Sequence, residues 1–388
     1  MKQSRSWILV ITAALIGLGL VMVFSTSAVH AERFGSATKL LVRQAVWLAN
    51  GLAVMLAAWR VDYHFYERHW KIITVITCLA LALVLIPGLG TRFNGARRWF
   101  RLLGYGIQPS EFAKIAVVIF VAAWLSTCQP KMLDNLFKGF LPVAGGVAAM
   151  FLLVALEPDA GTALLLAAVA FAMFIIGGVR MKHLLPIAAV VVPVFIFVVL
   201  THLDYVDARL SAFLHPESDP LGHGYQPMQS VLALGSGGIF GRGLGAGQIK
   251  LHFLPEAHTD FVLSIIGEEL GLVGTLTVIA LFIGLIYHGM KVAMTAPDRF
   301  GFLLVFGLVL FLGVQAAINI AVVTASAPTK GISLPLVSYG GSSLLASLFS
   351  LGVVLNVARA GEMVESRDGE LAEMTADPGE AAPNPLAG

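Results

Sequence analysis

Ten predominantly apolar stretches recur along this chain of 388 residues, near 7–28, 41–59, 71–88, 111–127, 139–156, 161–179, 183–200, 261–287, 302–325 and 341–358. A bilayer core about 30 Å thick is crossed by about 20 such residues in a helix. Inside hydrocarbon each backbone N–H and C=O must be satisfied within the protein, so uninterrupted runs of this length predict helices. The sequence therefore predicts an all-α polytopic membrane protein of ten transmembrane helices, with a long extracytoplasmic loop, 201–260, between helices 7 and 8. Charged residues make up only 12% of the chain, against roughly 25% in soluble domains, which excludes a water-soluble enzyme. The first window is longer than the apolar core of a signal peptide and reads as a retained span. Cys78 and Cys128 form neither a disulfide framework nor a CxxC metal site.

Lys and Arg in short loops set orientation. With the N-terminus inside, every inner segment is basic: Lys2 and Arg5, then Arg60, Arg68 and Lys71, then Lys131 and Lys138, Arg180 and Lys182, Lys291 and Arg299, and finally Arg359. Residues 1–359 form one ten-span domain with 24 Lys and Arg against 16 Asp and Glu, and 360–388 adds one Arg and seven acids. Acidic, rich in Ala, Pro and Gly and without apolar periodicity, 360–388 reads as a disordered cytoplasmic tail. One cluster runs against the charge rule: Arg92, Arg97, Arg98 and Arg101 crowd an outer loop. Either they pair with the outer acids Asp204, Asp207, Glu217 and Asp219, or they receive an anionic ligand.

Polar groups at the ends of spans or within them are costly, and each asks for a reason. In QPSEFAK (108–114), Ser110 can cap the fourth span, while Glu111 and Lys114 share a face at i,i+3 spacing. Lys114 is then either a snorkelling lysine tied to Glu111 or an ammonium for phosphate. Asp159, in the short turn Glu157-Pro158-Asp159, can cap the sixth span or act on a substrate. Before the eighth span, LPEAHTDF offers Glu256, His258 and Asp260: Pro255 at the first helical position would put Glu256 and Asp260 on one face, whereas a Thr259 cap would separate them. Glu268 and Glu269 fall deeper in the same span, about 12 Å beyond Asp260 along a helix. That exceeds the separation at which two carboxylates share a glycosidic bond, and Glu268 suits a Lys, Arg or amide partner from elsewhere.

The glycine-rich stretch Ser236–Gly247 superficially resembles a phosphate cradle but lacks the strand and the GK[ST] ending of one, so a mobile or re-entrant segment is the simpler reading. The connector Pro328–Ser343, with Lys330 and Ser338, is too polar to face lipid and should line a cavity. No HExxH, no Cys/His cluster and no Ser-His-Asp order is present. An outward, basic, carboxylate-bearing cavity in a ten-span protein suits an amphiphilic anionic substrate whose head group lies outside the cell.

Six segments, NGARRWF (94–100), QPSEFAK (108–114), EPDAGT (157–162), GYQPMQS (224–230), FLPEAHTDFVLSIIGEELG (253–271) and PTKGISLPLVSYGGSS (328–343), occur in an order that resembles the SEDS family of shape, elongation, division and sporulation proteins. EAHTDF and PTKG are similar to its division branch more than to its elongation branch. Departures are few: Glu157 stands where Gln is usual, Ala160 where Leu is usual, and VTASAP (323–328) replaces a glycine-containing form.

The resemblance implies a peptidoglycan glycosyltransferase that polymerises lipid II at the outer face of the bacterial cytoplasmic membrane, with both termini cytoplasmic and the division septum as its place of work. Asp260 matches the family's essential acid and would be the general base. Arg98, Lys114 and Lys330 would hold diphosphate, and Trp99 would stack on sugar or lipid unless it is an interfacial belt residue. Gln108, Glu111, Asp159, Gln226, Glu256, His258 and Ser338 count with them as substrate-binding candidates, and Glu268 and Glu269 as structural buried polar residues. A divalent cation, Mg or Mn, at Asp260 and Glu256 is the one cofactor for which a place is visible. Expected partners are lipid II, a class B penicillin-binding transpeptidase (FtsI-like) and division regulators (FtsQ/FtsL/FtsB-like and FtsN-like), with no nucleic acid. The reading from another class is a lipid II flippase, which should carry charges through the bilayer midplane and internal repeats; a partner-binding scaffold is the third.

Overall fold

The computed structural model describes residues 2–27, 39–93, 96–102, 105–128, 132, 135–186, 189, 213–220, 222, 224–251, 254–256 and 258–376. Its helices are α1 (Lys2–Ser27), α2 (Lys39–Arg60), α3 (His64–Leu85), α4 (Pro109–Thr127), α5 (Leu141–Leu156, entered by a wide turn at Leu136–Phe140), α6 (Ala160–Ile176), α7 (Tyr225–Ser236), α8 (Val262–Met294), α9 (Arg299–Val323) and α10 (Gly341–Ala376). Among the described residues eight helices are long and apolar enough to cross a membrane, counting α5 together with its entry turn, and α6 is a shorter apolar one. These nine fall on nine of the ten apolar windows. The remaining window, 183–200, lies mostly outside the described residues, as do the expected acids Asp204 and Asp207.

α4, α9 and α10 form the centre of the bundle and α2, α3 and α8 its rim. In the most apolar window of α4 and of α10, 78% of residues are buried, against 17% in α3 and 22% in α2 and α8. With lipid as apolar as leucine, helices associate by close packing and polar contacts rather than by hydrophobic exclusion. α2 and α10 show this: Gly352 sits so close to the Met55 carbonyl and Ala58 that no side chain fits between. At one end of the bundle Arg5 pairs with Glu362 at 2.6 Å, joining the start of α1 to the extension of α10. At that same end Asp298 caps α9 by accepting from Gly301 N–H at 2.8 Å and also accepts from the Tyr63 hydroxyl.

Three expectations are corrected here. The connection between α3 and α4, expected as a plain loop, is a three-stranded antiparallel sheet, β1 (Thr91–Phe93), β2 (Ala96–Leu102) and β3 (Tyr105–Ile107), which the helical bundle carries at one end. Short runs rich in Thr, Trp, Phe, Tyr and Ile, separated by the glycine-containing pairs Asn94-Gly95 and Leu103-Gly104, carry that pattern in the sequence. Secondly, 360–376 is helical rather than disordered, because α10 runs through Arg359 to Ala376 over a stretch rich in Ala, Glu and Met. Thirdly, the long loop contains α7 and an ordered 237–251 segment packed on α8.

α8 is interrupted at Gly271, where φ is 68° and ψ is −163°, a conformation open only to glycine. The break removes the hydrogen bonds that Leu272 and Val273 N–H would make to the carbonyls of Glu268 and Glu269. The 237–243 loop supplies all four missing partners: Arg242 N–H donates to Glu268 O and Gly243 N–H to Glu269 O, each at 3.0 Å, while Gly238 O accepts from Leu272 N–H (2.9 Å) and Ile239 O from Val273 N–H (3.2 Å). Irregular backbone at membrane depth is tolerated only when its groups are satisfied in this way.

Candidate active site

At the end opposite Arg5 and Glu362, four connections converge: the sheet, the α5–α6 turn, the approach to α8 and the α9–α10 connector. Arg98 of β2 reaches the α5–α6 turn, donating from Nε to Glu157 O at 2.9 Å and from its terminal nitrogen to Pro158 O. Its partners there are carbonyls, not the outer acids. Asp219 turns back on Gly222 N–H at 3.0 Å and Glu217 lies beside His215. Trp99 is half-buried in the sheet; its ring lies over Gly106, and Thr91 Oγ1 donates to its carbonyl at 2.8 Å.

Asp159 is the N-cap of α6, accepting from Thr162 N–H at 3.2 Å. Its other oxygen faces Gln108 Nε2 at 3.4 Å, and Gln108 also donates to Ser110 Oγ (3.0 Å) and, from its backbone, to Ser342 Oγ (3.0 Å). Gln108 thus ties the start of α4 to that of α6 and α10. Ser110 does not cap α4 as expected: Pro109 takes the first helical position, and the cap residue is Gln108, which makes no side-chain cap bond. Burial pushes the Glu157 carboxyl up to about 8, with the Asp159 charge adding and Arg98 opposing. Glu157 is 0% exposed, and among the described residues neither carboxyl oxygen has a hydrogen-bond partner.

Asp260 lies neither on a helix with Glu256 nor behind a Thr259 cap. α8 begins at Val262, and Glu256, held at φ 56°, starts a tight turn whose carbonyl accepts from Thr259, Asp260 and Phe261 N–H at 3.1, 3.2 and 3.4 Å. The positive φ folds the chain back on itself before a helix can start. Thr259 Oγ1 donates to Glu256 Oε2 at 3.0 Å. The Asp260 carboxylate faces the connector, so that a methyl built on Gly331 would lie 3.0 Å from Oδ2. Lys330, the preceding residue, runs its stem past Gly161 at the start of α6, with Cδ 3.5 Å from a methyl built there. Asp260, Lys330 and the Asp159 turn are therefore neighbours.

Lys114 is 3% exposed and donates to Glu111 Oε2 and Gln315 Oε1, both at 2.8 Å, with the Phe311 ring 4.9 Å from its nitrogen. The expected tie to Glu111 is present, but the lysine does not snorkel. Ser338 is also turned inward: its Oγ accepts from Leu334 N–H at 2.8 Å, closing a turn of the connector. His258 holds the next residue in place, its carbonyl accepting from Tyr339 N–H at 2.9 Å with the two rings 5.5 Å apart. Burial raises the Tyr339 phenol above its usual range, with Arg43 opposing. Gln226 is half-buried in the first turn of α7. That helix is fixed through Ser230, whose hydroxyl donates to Val323 O at 2.6 Å and meets Ser264 Oγ at 2.7 Å.

Glu268 and Glu269 are fully buried, and the glycine-rich stretch is their cradle. Gln248 and Ile249 N–H donate to Glu268 at 2.7 and 3.2 Å, and Gly245 N–H to Glu269 at 3.0 Å. Lys250 Nζ lies 2.5 Å from Glu269, 2.6 Å from Ser25 Oγ of α1 and 2.9 Å from Gly245 O. The backbone amides do bind anions, and the anions are the chain's own side chains. Among the described residues no group of three or more His, Cys, Asp or Glu is arranged to hold a metal ion. With Glu256 turned onto Thr259, the donor set does not fit a divalent cation.

Charge alone did not reveal Gln315 and Asn319 of α9 or Lys250 of the loop. Two carboxamides four residues apart in an apolar helix are themselves a signal of polar contacts made inside a membrane bundle.

The family described as cell cycle protein, FtsW/RodA/SpoVE, matches residues 6–362. The chain is 43% identical over 352 residues to the Probable peptidoglycan glycosyltransferase FtsW of Trichlorobacter lovleyi, covering 90% of this chain and 92% of that one. It is 39% identical over 353 residues to Stage V sporulation protein E of Bacillus subtilis, covering 91% and 96%. Among solved structures it resembles a chain from work on the structural coordination of polymerization and crosslinking by a peptidoglycan synthase complex. The TM-score is 0.74 at 32% identity, over 91% of this chain and 97% of the other. The rod shape determining protein RodA of Thermus thermophilus gives a TM-score of 0.65 at 28% identity, over 91% and 95%.

Proposed function

This chain belongs to the FtsW/RodA/SpoVE family of cell cycle proteins, and from that premise we propose that it is a peptidoglycan glycosyltransferase polymerising lipid II during septal wall synthesis. The observation that carries the mechanism is the approach of Asp260 to Gly331, next to Lys330, whose stem runs past Gly161 at the start of α6. Asp260 accepts the proton of the acceptor sugar's 4-hydroxyl as that oxygen attacks the donor's anomeric carbon. The bond from that carbon to the diphosphate oxygen breaks on the opposite face, so an α-linked donor gives a β-linked product in one displacement with no covalent enzyme intermediate. The departing diphosphate gains negative charge, which Arg98 and Lys330 stabilise through charge-assisted hydrogen bonds. Lys114, ion-paired with Glu111, holds Gln315, whose amide in turn fixes Ser333 O of the connector.

Basic inner segments and the Arg5–Glu362 pair support placing both termini on the cytoplasmic side of the inner membrane, with the sheet end outside. A class B transpeptidase and division regulators are the partners this reading expects. The test is to purify the full chain with that transpeptidase and supply labelled lipid II. Wild type is expected to make glycan strands and Asp260→Asn none. Strands from Asp260→Asn would end the general-base assignment, and translocation of lipid II without strands would favour the flippase.

A further inference from the structure

α9 carries two carboxamides, Gln315 and Asn319, four residues apart on one face and each 1% exposed. Gln315 accepts from Lys114 and donates to Ser333 O at 2.9 Å. Asn319 Nδ2 donates twice, to Asp260 O at 2.7 Å and to Ile332 O at 2.8 Å. Two carbonyls on the same side fix the orientation of the amide, because the flipped rotamer would set Oδ1 against both. Ile332 N–H in turn donates to Lys330 O at 2.8 Å. One side chain therefore fixes the turn that carries Asp260 and the stretch that carries Lys330. Among the described residues Asn319 Oδ1 is buried without a hydrogen-bond partner, a cost that an apolar residue in this helix would avoid.

We propose that Asn319 is a positioning residue for glycosyl transfer, setting the distance between the base and the cation that serves the leaving group. The inference rests on the assignment of Asp260 made above. A base must come within about 2.6–3.2 Å of the proton it takes, and a misplacement of about 1 Å costs on the order of 100-fold in rate. Asn319 touches neither substrate nor carboxylate in this role. It acts through the main chain of Asp260.

The test measures lipid II turnover by the full chain with its transpeptidase across pH, for Asn319→Ala, Asn319→Asp, Asp260→Asn and Ser230→Ala. Asn319→Ala is expected to lower kcat on the order of 10–100-fold while KM stays within about threefold. Asn319→Asp, buried against two carbonyls, keeps its proton at neutral pH and donates to one of them, so its kcat should lie between those of Asn319→Ala and wild type and fall further relative to wild type as pH rises and the carboxylate forms. Ser230→Ala removes another buried bond to a carbonyl near the same end of α9 and should keep kcat within about twofold. Wild-type kcat in Asn319→Ala, or an equal loss in Ser230→Ala, overturns the inference. If Asn319→Ala does not fold, the alkaline side of the Asn319→Asp profile decides: a loss relative to wild type as pH rises supports the role, and a profile parallel to that of wild type ends it. Turnover by Asp260→Asn instead overturns the base assignment, whatever Asn319 does.

Discussion

Arg98 hydrogen-bonds to the backbone of Glu157 and not to its carboxyl: the guanidinium Nε lies 2.9 Å from the Glu157 carbonyl, while the Glu157 carboxyl is fully buried with no hydrogen-bond partner among the described residues. A protonated glutamic acid is nearly isosteric with glutamine and carries no charge. The turn is thus built for a neutral side chain, and Arg98 anchors the sheet without neutralising it.

A pH dependence follows from that burial. The native state holds the Glu157 proton up to about 8, whereas the unfolded chain releases it near the ordinary 4.5. The native form therefore binds more protons between those values, and its stability falls as pH rises through this window. Glu157→Gln should match wild type near pH 5 and melt higher than wild type at pH 8 and above, read by scanning fluorimetry in detergent. Parallel melting curves for the two proteins across this range would refute the neutral turn.

The Lys114 network separates fold from chemistry. Lys114→Met strands the Glu111 carboxylate in the interior and should cost about 3–5 kcal/mol. Glu111→Gln combined with Lys114→Met removes both charges and should recover most of that melting temperature while lipid II turnover stays low. If turnover returns together with stability, the ammonium is structural only.

At Gly271 a methyl group meets both a backbone conformation reserved for glycine and the Gly241 nitrogen. Gly271→Ala should destabilise by at least about 1–3 kcal/mol from backbone strain alone. Gly17→Ala in α1, where a built methyl finds nothing within 4 Å, should leave the melting temperature unchanged or raised. Equal melting of the two variants would contradict the break in α8.

Glu256 holds a left-handed conformation, at φ 56°, that favours glycine. Glu256→Gly should melt above Glu256→Ala by about 1 kcal/mol. If its carboxylate also meets substrate, both variants lose turnover to the same degree despite their different stabilities. A Glu256→Ala protein that melts above the glycine variant rules out the backbone argument.

Most of the scaffold was legible because it depends on local patterns. Apolar windows located nine helices, and Asp159 before Ala-Gly-Thr announced a cap that the structure contains. Asp260, Lys330 and Arg98 were nameable from motif resemblance, but their mutual placement was not, since it depends on the folding of three connections separated in sequence. The start of α8 is not legible in the sequence, because Pro255 and Thr259 are both good helix openers while the controlling residue, Glu256, shows no sign of its positive φ. The glycine-rich stretch reads by itself as a mobile or re-entrant segment, because nothing within it shows which anions its amides bind. Its ligands, Glu268 and Glu269, follow it in the same chain, in a helix read separately.

The bracket around Gly271 also bears on the order in which the protein is assembled. Ser25 belongs to the first helix made, Lys250 and the glycine loop come much later, and Glu269 only after them, yet the three side chains share one buried cluster. α8 cannot settle by hydrophobic insertion alone, because two carboxylates before its break and four backbone groups around the break find their partners in other segments. The first helix must wait with an unfinished polar site until the loop arrives, and the loop must wait for α8. The middle of the chain is then committed late and all at once, so that a truncation after the seventh apolar window would leave an incomplete protein rather than a smaller stable one.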